Sequence, residues 1–217
     1  MRQTHTGTQK PLPSRPDQRL SSPSTARNIE PIVAVMRQTM PADGEAVELA
    51  SGTGEHCVRF AAEFPSVTWT PTDVDAQRLD SIRAWIKGSG LSNFNPPMAL
   101  NAEQPDWPFA HSSMDAAVVV NLLHLVSQDV AVKLFAGVAN VLRPGGQWFL
   151  YGPFTRGGEF VSEGDRAFHQ QLVSQDPAIG YKDTATVTNW ASTHGLTVAA
   201  CHNMPANNLM FVLKKAG

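Results

Sequence analysis

Short runs of consecutive apolar residues alternate with longer stretches in which apolar residues return every three or four positions. Ile29 to Met40 carries Ile32, Val33, Val35 and Met36 on one helical face, and Pro41 with Gly44 ends it. Ala46 to Ala50 then reads as a strand, Glu55 to Phe64 as a helix, and Val67 to Thr70 as a second strand. Asp75 is placed to cap a helix running to Lys87. A brief third strand is expected near Pro97 to Leu100, followed by a loop from Ala102 to Phe109 containing Pro105 and Pro108. Ala116 to Val120 is apolar throughout, as a strand buried on both faces must be. A helix from Gln128 to Leu142 stops at the turn Arg143-Pro144-Gly145-Gly146, which feeds a strand from Gln147 to Tyr151.

Beyond a loop-rich stretch from Gly152 to Gly164, helices are expected over Asp165 to Ser174 and Thr186 to His194. Two final strands, Thr197 to His202 and Leu209 to Lys214, are joined by a short connection, which requires an antiparallel pair at the sheet edge. The alternation predicts an α/β fold: a doubly wound, Rossmann-like sheet of seven strands with an antiparallel C-terminal pair.

Composition narrows the picture. With 217 residues, 42% hydrophobic and 17% charged, the chain suits a single domain over residues 25–217. Residues 1–24 hold Pro11, Pro13, Pro16 and Pro23 among polar and basic residues, and a disordered tail is expected. The alternative for that segment is a transit peptide, whose amphipathic apolar face it lacks. A net charge of −2 and a pI near 6.4 argue against nucleic acid as a partner. No apolar run is long enough for a membrane span and no signal-peptide core is present, so a soluble, cytoplasmic protein is expected. Cys57 and Cys201 read as buried free thiols in a reducing compartment. No metal is expected, since the one Cys/His adjacency, Cys201 beside His202, is not a ligand pattern.

The chemistry concentrates in Glu48-Leu49-Ala50-Ser51-Gly52-Thr53-Gly54-Glu55-His56 and, at the end of the next strand, Thr72-Asp73-Val74-Asp75. A glycine turn after one buried strand and a carboxylate after the next is the spacing that holds an adenosine, with Asp73 accepting from a ribose diol. A helix cap is the other reading of Asp73. Dinucleotide and S-adenosylmethionine (SAM) sites share this layout. The dinucleotide fingerprint wants a third glycine where Cys57 stands. A SAM site instead takes an acid just before the glycines, and Glu48 supplies one able to hold the loop amides and face a cation. The loop therefore favours SAM.

The element order and the turn Leu142 to Gly146 resemble class I SAM-dependent methyltransferases over residues 29–217. Further motifs narrow the resemblance: Arg27-Asn28 with Pro31-Ile32, the glycine loop, Trp69 to Asp73, Asn121 with His124, Tyr151 to Phe154, Lys182-Asp183 and Met204 to Asn208. Together they are similar to a methyltransferase-like family long labelled a domain of unknown function. The resemblance implies that Ala50, Ser51, Gly52 and Gly54 lie under the methionine part of SAM, with Ala50 replacing the usual glycine. It implies that Asp73 holds the ribose, that Val74 joins the cofactor contacts, and that Asn101, in place of an acid, accepts from adenine.

Other candidates keep two readings each. Asn121 meets the methionine amine or the substrate. His124 accepts a proton from a nucleophile or is a packed core histidine. Tyr151 orients substrate or simply packs. Arg27 pairs with a carboxylate or is surface charge, Asn101 binds adenine or shapes a turn, and Asn207 with Asn208 bind ligand or suit a hairpin turn. The expected function is methyl transfer from SAM to a small-molecule acceptor. The alternatives are a non-catalytic SAM-binding protein and a nicotinamide oxidoreductase, which would require a Lys at the right offset from Tyr151 or Tyr181.

Overall fold

The computed structural model describes residues 18–217. Most of the expected tail therefore lies outside the described residues. The remainder is packed rather than disordered. Leu20 is buried, its N–H donates to Ser81 Oγ (2.8 Å) and its carbonyl accepts from Trp85 Nε1 (2.8 Å). Helix α1 (Pro23–Thr39) also starts six residues before Ile29, with proline in its first turn, where a missing N–H costs nothing.

The chain continues through β1 (Gly44–Leu49), α2 (Glu55–Glu63), β2 (Val67–Asp73), α3 (Ala76–Ser89), β3 (Met98–Ala99) and β4 (Met114–Val120). It then forms a 3₁₀ turn at Leu123–Leu125, α4 (Gln128–Val141), β5 (Leu142–Gly152), β6 (Phe154–Thr155), α5 (Glu163–Gln175), β7 (Lys182–Asp183), α6 (Thr184–Thr193), β8 (Leu196–Asn203) and β9 (Leu209–Lys215). Seven strands make one mixed sheet in the order β3-β2-β1-β4-β5-β9-β8, parallel through β5 and antiparallel at β9 and β8. This is a doubly wound, Rossmann-like α/β fold, with helices on both faces and an antiparallel C-terminal pair.

Each face has its own core. Ile32, Met36 and Phe60 of α1 and α2 cover Trp69, Val118 and Phe149 on one side. Leu134, Phe135 and Trp190 of α4 and α6 cover Val119, Trp148 and Leu150 on the other. β4 sits between these layers, which is why it contains no polar residue after Asp115.

Three boundaries differ from expectation for local reasons. β2 runs through Pro71 to Asp73, because β3 pairs only from Thr72 onward and the missing Pro71 N–H leaves no ladder bond unmade there. Arg143 to Gly146, expected as a free turn, lies within β5 at a register shift opposite Met114 and Ala116. Phe154-Thr155 and Lys182-Asp183 form a parallel two-stranded ribbon, too short to leave a periodic signal. Cys57 is buried as expected, but Cys201 is exposed, because β8 is the edge strand and Cys201 points outward from it. Among the described residues no helix is long and apolar enough to cross a membrane.

Candidate functional site

β1 lies between β2 and β4, and the connections after β1 and β4 leave in opposite directions, so a crevice opens at their carboxyl ends, where open α/β sheets take ligands. The loop after β1 enters it in strained backbone. Ala50 (φ +53°), Gly52 (φ +61°) and Gly54 (φ +93°) all lie in the left-handed region, which costs a side-chain-bearing residue such as Ala50 roughly 1–2 kcal/mol. Gly54 could not carry a side chain, since a Cβ there would stand 2.9 Å from Ile82 Cα. At Gly52 nothing is nearer than 3.8 Å, so only its φ asks for glycine.

Asp73, at the end of β2, clasps this loop. Its Oδ2 accepts from Gly52 N (2.9 Å) and its Oδ1 from Asp75 N (3.0 Å). Burial raises its pKa, and these two amides with Arg78 oppose that rise. The helix cap belongs to Asp75, which accepts from Arg78 N. Ser51 ties the loop to β2 from the other side, donating its N–H to Thr72 O (2.7 Å) and accepting Thr72 N at its hydroxyl.

Glu48 does something other than hold the loop amides, since Gly52 N goes to Asp73, Ser51 N to Thr72 O and Gly54 N to Ser51 O. It is 1% exposed within β1, and its Oε2 has no hydrogen-bond partner. Burial pushes its pKa up to about 8; a contact from the Ser51 hydroxyl lowers it and the nearby Asp73 raises it further. A buried carboxyl oxygen left unpaired beside a ligand crevice fits a cation donor or a positively charged ligand group.

Val74 is exposed at the crevice edge, next to Asp73. Asn101 accepts Glu103 N at its side-chain oxygen (2.9 Å), so it shapes the turn after β3. Asn121 adopts φ +58° at the end of β4 and donates its N–H to Tyr151 O. His124 follows in the 3₁₀ turn, 6% exposed, with its ring edge-on to Phe168 and Tyr181. Its Nδ1 has no partner, and burial, aided by the Lys182 charge, lowers its pKa to about 3. The ring is therefore neutral at pH 7, able to accept a hydrogen bond but weak as a base.

Tyr151 ends β5 nearly buried. Burial raises its pKa, and the nearby Asn28 amide and the charge of Arg27 oppose that rise. Arg27 itself is exposed on α1. Asn207 reaches from the β8–β9 turn to Asp165 Oδ2 (2.9 Å), and Asn208 donates to the turn carbonyls of Pro205 and Ala206. Sequence reasoning did not foresee that the side chains of Asn28 and His56 meet, His56 Nε2 lying 2.8 Å from Asn28 Oδ1. Their only signal was position, beside Arg27 and directly after the glycine loop. Among the described residues no group of three or more His, Cys, Asp or Glu side chains could hold a metal ion.

The family model described as "Protein of unknown function (DUF938)" matches residues 19–215. Among solved structures, an O-methyltransferase family protein from Burkholderia thailandensis is similar at a TM-score of 0.74 and 15% identity, covering 87% of this chain and 56% of that one. CalO1, a methyltransferase in calicheamicin biosynthesis solved in its SAH-bound form, matches at 0.71 and 14%, covering 89% and 54%. The YcgJ protein from Bacillus subtilis matches at 0.70 and 14%, covering 87% and 99%. The chain thus spans about half the length of the first two, and at these identities the likeness is one of fold.

Proposed function

This chain belongs to the DUF938 family, and from that premise we propose that it is a SAM-dependent methyltransferase acting on a small-molecule acceptor. The observation that carries the reading is the clasp of Asp73 on Gly52 at the switch point of the sheet, with the orphaned Glu48 oxygen beneath the same loop. The chemistry of this donor set fits the cofactor. Asp73 retains free lone pairs for a ribose, Gly52 lets backbone come close, and Glu48 offers a buried acid that a cationic group would ionise on binding.

When bound, SAM supplies a methyl group activated by its sulfonium. The chain's own residues then have to align a nucleophile and exclude water, and they need not provide a strong base. Asn121 and His124 stand on the acceptor side of the crevice, where the neutral His124 ring can accept a hydrogen bond from the nucleophile's O–H or N–H. A net charge of −2 supports a small acceptor over nucleic acid.

Calorimetric titration with SAM, S-adenosylhomocysteine (SAH) and NAD tests the reading. Wild type is expected to bind SAM and SAH in preference to NAD, and Asp73→Asn to weaken both by about 10- to 100-fold, the loss of hydrogen bonds to a charged group. Tighter binding of NAD would overturn it. Release of SAH against a metabolite panel then separates an enzyme from a non-catalytic SAM-binding protein.

A further inference from the structure

His124 is firmly held by its backbone and loosely covered at its ring. Gly180 N donates to His124 O (3.0 Å), while Lys182 Nζ donates to Val126 O (2.6 Å) and Gly180 O (2.9 Å), so the 3₁₀ turn is fastened to the segment leading into β7. The cover is made of two rings. Phe168 of α5 and Tyr181 stand edge-on to the imidazole, their centroids 5.9 and 6.4 Å from it and 6.1 Å from each other. Leu172 is the only buried residue of α5, and Phe168 is 40% exposed even while it covers His124. Val161, just before the helix, is exposed too. Large apolar side chains left in water around a buried polar atom are the lining that a small-molecule site uses.

Gly152, the last residue of β5, has no structural need to be glycine. Its φ lies outside the left-handed region, and apart from its chain neighbours a Cβ there would meet nothing nearer than 3.9 Å. The two atoms at that distance are Phe154 Cε2 and His124 Nδ1, the buried nitrogen without a partner. A spot one methyl group wide thus lies beside an unsatisfied hydrogen-bonding atom, at the end of the sheet where ligands enter. Because His124 is only 6% exposed, a molecule reaches that spot by lifting a cover, and Phe168 is the cover held by least burial. Whatever lifts it must restore ring contacts to His124 and Tyr181, which a flat aromatic group does and a puckered aliphatic one does not.

We propose that the methyl acceptor is a planar aromatic compound carrying a hydroxyl or amino group, whose ring displaces Phe168 from His124 and Tyr181 and whose polar atom takes the spot beside Gly152, bonded to His124 Nδ1. The proposal rests on the methyltransferase reading above and narrows its acceptor from small molecules at large to this class.

Full-length protein saturated with SAH is to be titrated calorimetrically with three probes. They are 2-naphthol, 2-methylnaphthalene, which lacks the polar atom, and decahydro-2-naphthol, which keeps the hydroxyl on a puckered skeleton. 2-Naphthol is expected to bind about 10-fold or more tightly than either of the others. Two variants should move its affinity in opposite directions. Phe168→Ala removes the competing ring and is expected to tighten 2-naphthol by about 3- to 10-fold, because more of the protein is already open. Gly152→Ala fills the spot and is expected to weaken 2-naphthol about 10-fold while leaving SAH within about twofold.

If Gly152→Ala melts below the assay temperature, His124→Phe replaces it. That variant keeps a ring without the nitrogen and should abolish the preference for 2-naphthol over 2-methylnaphthalene. Equal affinity for 2-naphthol and decahydro-2-naphthol, unchanged or weaker 2-naphthol binding by Phe168→Ala, or no 2-naphthol binding by protein that does bind SAH would each overturn the proposal and leave the cofactor reading standing. Failure of wild type to bind SAH would overturn the cofactor reading itself, and this proposal with it.

Discussion

Glu48 and Asp73 are both carboxylates at the ends of neighbouring strands, yet their surroundings divide the work between them. Asp73 is paid in amide hydrogen bonds, whereas Glu48 is buried with an oxygen unpaired. Because its folded pKa is raised to about 8 from an ordinary value near 4.5, the native state holds a proton that the unfolded chain releases. This contribution to stability is therefore complete below the unfolded pKa and is lost as pH rises through that interval towards the folded value. Glu48→Gln keeps the shape and removes the titration. Urea unfolding is expected to show wild type losing about 2 kcal/mol relative to the variant between about pH 6 and pH 8, and parallel pH profiles would refute this. The sequence was legible here as to residue type and spacing, since Glu48, Gly52, Gly54 and Asp73 all reach one crevice. It was not legible as to which acid holds the loop, because that depends on where β2 ends relative to β1, a register set by the partner strand.

At the scale of elements, glycine in a helix usually signals weakness, and alanine in its place gains up to about 1 kcal/mol. Gly137 in α4 reverses that sign. A Cβ there would lie 2.4 Å from Trp107 Cζ2, in the loop after β3, so the helix leaves room for an indole that closes one end of the core. Gly137→Ala is expected to destabilise by about 1–3 kcal/mol despite its better propensity. A thermal scan should show this as a fall of several degrees, and the same substitution in a Trp107→Phe background should cost less. No fall in melting temperature would mean that the ring moves aside freely. Existence and type of most elements were readable because each has a long apolar face or run. Boundaries were not. Pro71 reads as a strand breaker until β3 is seen to start only beyond it, and Pro23 reads as tail until Leu20 is seen to anchor the segment on α3.

For the molecule as a whole, the last strand is the closure of the sheet. β9 lies between β5 and β8, pairing Leu150 with Phe211 on one edge and Phe211 with Cys201 on the other. Phe211 also packs edge-on to Phe154 at 5.1 Å. A chain ending at Asn208 would leave β8 without a partner, expose one edge of β5 and open the core above α4 and α6, so it is expected to lose cooperative urea unfolding and near-ultraviolet dichroism. A sharp transition in that truncated chain would show β9 to be accessory. The amino-acid sequence alone determined the α/β alternation, the terminal antiparallel pair and the glycine-loop and carboxylate residues, because periodicity and backbone freedom are local properties. Only tertiary structure decided that Asp73 clasps Gly52, that Glu48 is left orphaned, that Cys201 faces outward and that His56 meets Asn28. Burial and hydrogen-bond direction arise between elements distant in sequence, and no local pattern encodes them.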